Sequence, residues 1–148
     1  MRKEIFKMNF TEIMLKLLPY WHYEIEKPFK MSLKDKMSLE TYYCLQILQQ
    51  DGSMTMTDLA SRLKISKQQA TKIIDTLYKY HFIERKYNEQ DRRYITICVA
   101  DPAIRYIDEN IYKNTDFFRQ LEEKIGKEDA KRLEQSVETL LEILAKLD

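Results

Sequence analysis

Glycine is almost missing from this 148-residue chain, which holds only Gly52 and Gly126. A phosphate-cradling loop and a dinucleotide fingerprint each need several glycines at short spacing, so neither is present. No nucleophile elbow or zinc-binding helix motif occurs, and no enzyme is expected. Cysteine is as scarce. Cys44 and Cys98 fall in a helical and a strand-like segment at positions that read as buried, which suits structural filler, with a redox-sensing thiol as the other reading. His22 and His81 have no ligand-spaced partner, so neither a metal nor a cofactor is expected unless scattered residues assemble a site. An excess of one charge is also lacking: 25 basic residues face 24 acidic ones, and the total says nothing about polyanions. Long uncharged runs are absent too. Lys7, Glu12 and Lys16 interrupt the N-terminal stretch, no segment reaches signal-peptide or membrane-spanning length, and a cytoplasmic location is the expectation.

What the chain does contain is concentrated between residues 55 and 97. Thr55 with Asp58 forms a capping-box pattern, and Leu59, Ala60 and Leu63 supply the apolar stripe of a short helix ending near Lys64 and Ile65. Ser66 is the next N-cap, with Gln69 at the reciprocal position. Ala70, Ile73, Ile74 and Leu77 then repeat at helical spacing, which predicts a second helix from about Lys67 to Tyr80 after a short turn. Residues 82–87 and 94–99 are rich in β-branched and aromatic types, and the wholly polar run from Asn88 to Arg93 between them reads as a hairpin tip. Helix, turn, helix and hairpin in this order make a winged helix.

With the apolar stripe of the second helix turned inward, Lys67, Gln68, Gln69, Thr71, Lys72 and Thr76 face outward, together with the Ser66 cap. These types suit a DNA major groove, where Gln pairs with adenine, Thr meets a thymine methyl, and Lys and helix N-terminal amides take phosphates. A merely solvated helix face is the competing reading. Asp91, Arg92 and Arg93 on the exposed turn serve no packing purpose, and an arginine there suits a narrow minor groove, although a salt bridge within the wing also fits. Charge is partitioned accordingly. Residues 57–97 carry nine Lys or Arg against five Asp or Glu, a net +4, whereas residues 120–148 carry five against eight, a net −3. The basic excess is small for one chain and points to binding as a dimer.

The flanking segments are helical. Ile104, Ile107, Ile111, Asn114, Phe118, Leu121 and Ile125 alternate at spacings of three and four, and so do Leu133, Val137, Leu140, Leu144 and Leu147. Gly126 between them predicts two long helices that fold back on each other. An N-terminal helix from about Phe10 to Lys27 shows a broad apolar face at Ile13, Leu17, Leu18, Trp21 and Ile25, with a kink or fresh start expected near Leu18 because Pro19 removes a hydrogen bond. Residues 28–36 read as a loop. Three such helices exceed what one small module needs, although an intramolecular core is the plainer alternative.

Several segments together resemble the multiple-antibiotic-resistance regulator (MarR) family of winged-helix transcription factors. MSLETYYCLQIL (37–48) is similar to that family's helix before the helix-turn-helix, and TDLASRLKIS (57–66) to its support helix and turn. KQQATKIIDTLYKYHFIERK (67–86) resembles the recognition helix and first wing strand, NEQDRRYITI (88–97) the wing with its Asp-x-Arg element at Asp91 and Arg93, and IGKEDAKRLEQSVETLLEILAKL (125–147) the last helix. Two departures stand out. His81 occupies the place of the glycine that usually closes the recognition helix, and His tolerates a left-handed cap. Val99-Ala100-Asp101-Pro102-Ala103 replaces the usual Leu-Thr-x-x-Gly, with Asp101 expected as N-cap and Pro102 at the first helical position.

The resemblance implies a mainly α protein with a small β-hairpin wing: a winged helix-turn-helix DNA-binding domain at 37–100, and a helical dimerisation region at 1–36 and 101–148. It implies a homodimer interlocked across a two-fold axis, two recognition helices for successive major grooves of double-stranded DNA, and a ligand- or stress-responsive regulator, expected to repress. A pocket for a small aromatic effector is implied where the dimerisation helices meet the winged helix. Tyr20, Trp21, His22, Tyr23, Tyr42 and Tyr43, with Phe29 and Met31, are candidates to wall it, although aromatic residues at helical spacing also make ordinary core. A winged-helix protein-interaction module that does not bind DNA is the alternative function.

Overall fold

The structure, a computed structural model, describes residues 8–33, 37–91, 93–114 and 116–147. Helix α1 (Phe10–Tyr20) starts at Asn9, whose side chain accepts the Glu12 amide at 2.9 Å. The chain does not break at Pro19. It passes into a π-helical stretch, Trp21–Glu26, and on into α2 (Lys27–Ser32). Proline removes one hydrogen bond from the preceding turn, and the helix continues past it. Pro28, near the start of α2, does not stop the winding either, so helix occupies much of the segment expected as a loop.

Helix α3 (Leu39–Asp51) opens on a reciprocal capping box between Ser38 and Thr41 and buries Leu39, Thr41, Cys44, Leu45 and Leu48. Gly52, at φ 86, ends it. Strand β1 (Met54–Thr55) follows, too short to give a period-two signal in the sequence. Thr55 then caps α4 (Met56–Leu63) by accepting the Asp58 amide at 3.2 Å, which is one half of the expected capping box. Arg62 on α4 donates from Nε to Asp51 at 3.1 Å, tying the helix to the end of α3. Lys64, left-handed at φ 56, closes α4, and α5 (Lys67–Lys79) follows at once.

His81 adopts φ 62, the left-handed turn that the sequence asked of it in place of glycine. Strands β2 (Ile83–Tyr87) and β3 (Ile95–Val99) pair antiparallel, with Ile83 opposite Val99, Arg85 opposite Ile97 and Tyr87 opposite Ile95. Strand β1 pairs with the other edge of β3, so the sheet order is β1-β3-β2 and the hairpin is part of a three-stranded sheet. Leu45, Leu48, Leu59, Ile74, Leu77, Phe82, Ile83 and Ile97 from helices and sheet share one core with Ala103 and Ile107.

Helix α6 (Asp101–Ile107) takes Ala100 as its N-cap, so Asp101 and Pro102 lie one position further into the first turn than expected. A π-helical stretch, Asp108–Tyr112, continues it to Lys113. The helix predicted through residue 125 is therefore divided. Asn114, Thr115 and Asp116 are of types that hydrogen-bond locally and favour helix ends, and Asn114 puts a polar residue into the seam. The chain separates here into two compact units, one ending at Lys113 and the other starting at Asn114. In the second, α7 (Asp116–Ile125) and α8 (Lys127–Leu144) fold back on each other about Gly126, at φ 88. Their facing sides leave an open groove of about 550 Å³ lined by Phe118, Leu121, Ile125, Leu133 and Val137. No described residue of α7 or α8 is buried. Among the described residues, no helix is long and apolar enough to cross a membrane.

Candidate nucleic-acid interface

Helix α5 has two faces. Ala70, Ile74 and Leu77 are buried and Ile73 is half-buried, while Lys67, Gln68, Gln69, Thr71, Lys72 and Thr76 are exposed as the spacing predicts. The two glutamines are not equivalent. Gln69 Oε1 accepts the Ser66 amide at 3.0 Å and the Ser66 hydroxyl at 3.3 Å, while Ser66 Oγ accepts the Gln69 amide at 3.1 Å. With both lone pairs of its amide oxygen engaged, Gln69 is committed to the cap, and bidentate pairing with a base falls to Gln68. The Thr71 hydroxyl donates to the Lys67 carbonyl at 2.8 Å and that of Thr76 to the Lys72 carbonyl at 3.0 Å. Each threonine thus offers its methyl group rather than its proton. Lys67 and Lys72 complete a basic, polar first half of the helix.

The wing is organised by Asp91. Asn88 accepts the Gln90 amide at 2.8 Å, the Asn88 amide donates to the Tyr94 carbonyl, and the Tyr94 amide donates to the Asp91 carbonyl. The Asp91 carboxylate accepts the Arg93 amide and, from one edge of its guanidinium, Nε and Nη2, each at 3.0 Å. That guanidinium holds the Asp91 carboxyl below its usual range, and the carboxylate in turn raises the Arg93 pKa. Arg93 remains 89% exposed, so it is oriented without being covered. The salt bridge read as an alternative to groove binding therefore exists, and it leaves the cation accessible. Arg92 lies outside the described residues.

One contact was not suggested by sequence spacing. The Arg85 guanidinium on β2 lies over the Tyr78 ring of α5, 5.0 Å from its centroid. The signal was the strand alternation: Ile83, Arg85 and Tyr87 share a face, and Ile83 is buried against the helices.

The aromatic residues expected to wall a pocket lie on α1, the π-helical stretch, α2 and α3, several of them in contact. Tyr20 and Tyr23 are exposed, and His22 sits edge-on to Tyr23 while pairing with Glu26 at 3.3 Å. Tyr43 donates to Glu26 at 2.7 Å, linking α3 to the π-helical stretch, and Trp21 is partly exposed. Tyr42 is half-buried, packs edge-on against Phe29 at 4.9 Å, and has its pKa pushed up to about 12 by burial and by its neighbour Tyr112. Met31 is exposed. On α3, the Gln46 side-chain oxygen is buried without a hydrogen-bond partner among the described residues. Cys44 is fully buried, and burial pushes its thiol up to about 12; Cys98 is half-buried. Among the described residues, no cluster of three or more His, Cys, Asp or Glu is placed to hold a metal.

Known proteins resemble this chain in sequence over part of its length and in fold. A family model described as "MarR family" matches residues 37–95, which run from the start of α3 into the wing. Two Bacillus subtilis proteins are similar over part of the chain, both described as uncharacterized HTH-type transcriptional regulators: YfiV, 28% identical over 71 residues, and YsmB, 29% identical over 93 residues. The matches take in 48% and 63% of this chain, and the chain spans 44% and 64% of the lengths of those relatives. Among solved structures, a MarR family protein from Bacillus stearothermophilus superposes with a TM-score of 0.73 at 19% identity, over 94% of this chain and 99% of that one. A mutant MarR from E. coli superposes with a TM-score of 0.72 at 14% identity, over 91% and 98%. At such identities the likeness concerns the fold, a winged helix between N- and C-terminal helices. Residues 37–95, the winged helix-turn-helix, match the MarR family, and the chain as a whole has the fold of solved structures from that family.

Proposed function

We propose that this protein is a ligand- or stress-responsive transcriptional repressor that binds pseudo-palindromic duplex DNA as a homodimer. The observation that carries the reading is the division of α5 into a buried apolar face and an exposed face of Lys67, Gln68, Thr71, Lys72 and Thr76, beside a wing that presents Arg93. On this reading Gln68 reads a base edge, the threonine methyls meet thymine, and Lys67 and Lys72 hold phosphate. Arg93 enters the adjacent minor groove, where a narrow A·T-rich stretch concentrates negative potential. Occupying an operator excludes other proteins, which makes repression the sign we assign.

Dimerisation is supported by apolar surface that a monomer would leave wet. Phe10 is 78% exposed and Leu147 79%, and Ile13, Leu18, Leu141, Ile143 and Leu144 are exposed too. We assign these faces, in residues 1–36 and 101–148, to a two-fold interface that spaces two α5 helices for successive major grooves. For the effector we favour a small aromatic molecule near Tyr42, Tyr43 and Trp21 over oxidation of Cys44, because a thiol with its pKa at about 12 carries almost no thiolate at neutral pH. The cell compartment of such a regulator is the cytoplasm. Selection of duplexes by the purified protein from a random pool tests the reading. Enrichment of an inverted repeat is expected, and failure to enrich any sequence would favour a winged helix that binds protein instead.

A further inference from the structure

The hairpin leaves the core early. Ile83 and Ile97 are its buried residues, whereas Glu84, Arg85, Lys86 and Tyr87 along β2 are all exposed. From Arg85 outward the wing therefore projects with little apolar anchorage. Where this outer half begins, Arg85 lies over Tyr78, which stands one position before the end of α5 and is itself 48% exposed. No carboxylate among the described residues pairs with Arg85, so the ring is the partner that holds it.

We propose that Arg85 and Tyr78 form a brace that fixes the direction of the wing against the recognition helix, so that Arg85 acts on DNA affinity through Arg93 and not by a contact of its own. The inference rests on the DNA-binding reading given above and adds positioning residues to it. A hairpin that must place one arginine in a minor groove while a neighbouring helix occupies the major groove needs a fixed angle between the two, since small misplacement at the base is amplified at the tip. A guanidinium on an aromatic face supplies that angle without desolvating a charge, and the ring does not depend on its hydroxyl to do so.

The test is a double-mutant cycle on the duplex selected by the parent protein. Arg85→Gln should weaken binding by about two- to fivefold, the ceiling for an exposed cation–π contact. In the Arg93→Ala background the same change should cost nothing further. Tyr78→Leu should reproduce Arg85→Gln, and Tyr78→Phe should bind like the parent. In DNA-free protein, backbone order parameters of the Asn88, Gln90 and Tyr94 amides should fall in Tyr78→Leu and stay unchanged in Tyr78→Phe. Additive losses from Arg85→Gln and Arg93→Ala, with a shallower salt slope for Arg85→Gln, would make Arg85 a direct phosphate contact and overturn the brace. Unchanged order parameters in both Arg85→Gln and Tyr78→Leu would overturn it as well. If the parent binds no duplex, the DNA reading fails while the order parameters still decide whether the brace exists; should Tyr78→Leu fail to fold, exposed Arg85→Gln carries the test alone.

Discussion

Replacing Gln69 should change how well this protein holds together, whereas replacing Gln68 should change what it reads. Gln69 Oε1 accepts two hydrogen bonds from Ser66, and Ser66 Oγ accepts one from the Gln69 amide. Gln69→Ala deletes the half of the box that satisfies the exposed Ser66 amide, and water replaces it, so the loss should be about 0.5 kcal/mol, the low end for capping interactions. For a chain of this length that is a fall in melting temperature of about 1–2 °C. Ser66→Ala removes the cap itself and should cost about 1 kcal/mol, or about 2–4 °C. Both variants should weaken binding to all duplexes alike. Gln68→Ala should leave the melting temperature in place and relax preference at one position of each half-site, by about 1–3 kcal/mol. Thermal unfolding and binding to a panel of single-base operator variants measure the two effects separately. If Gln69→Ala relaxed one base position without a thermal shift while Gln68→Ala left preference intact, the exposed face of α5 would have been assigned in the wrong rotation.

Arg93→Ala should weaken binding to the selected operator tenfold or more, about 1.4 kcal/mol, with the smallest loss where the flanking steps are G·C; competition binding checks this. Leu144, exposed near the end of α8, is expected to lie in the two-fold interface, so Leu144→Asp should shift sedimentation from dimer toward monomer at micromolar concentration. A neutral thiol reagent at pH 8 should modify half-buried Cys98 and reach Cys44 only on unfolding. The thiol of Cys44 and the phenol of Tyr42 both have their pKa values raised in the folded chain, so their contributions are fully present below the unfolded values near 9 and 10 and are lost as the pH climbs toward about 12. Urea midpoints at pH 8 and pH 11 should differ in that direction.

The winged helix was legible because its signals are local. A capping box at Ser66, an apolar stripe at Ala70, Ile74 and Leu77, and two β-branched runs around a polar tip each depend on residues a few positions apart. The left-handed His81 was readable for the same reason. Features that escaped depend on longer or weaker signals. Strand β1 has two residues and exists through pairing with β3, and the Arg85–Tyr78 contact needs the hairpin register to form. The two π-helical stretches hide within uninterrupted helical periodicity, and the break near Asn114 was masked because a polar residue at one seam position leaves a heptad pattern intact. At the interface, spacing placed both glutamines outward, the capping-box pattern at Ser66 already set Gln69 apart, and the hydrogen bonds of the cap show it engaged there.

Fluorescence anisotropy of the purified protein on the selected duplex and on a scrambled duplex of equal length, across a salt series, tests the central claim most directly. The account predicts two chains per duplex, an affinity for the selected sequence at least about 10³ times that for the scrambled one, and a linear fall of log affinity with log salt as Lys and Arg release counterions. Equal affinity for both duplexes, or binding indifferent to salt, would contradict it.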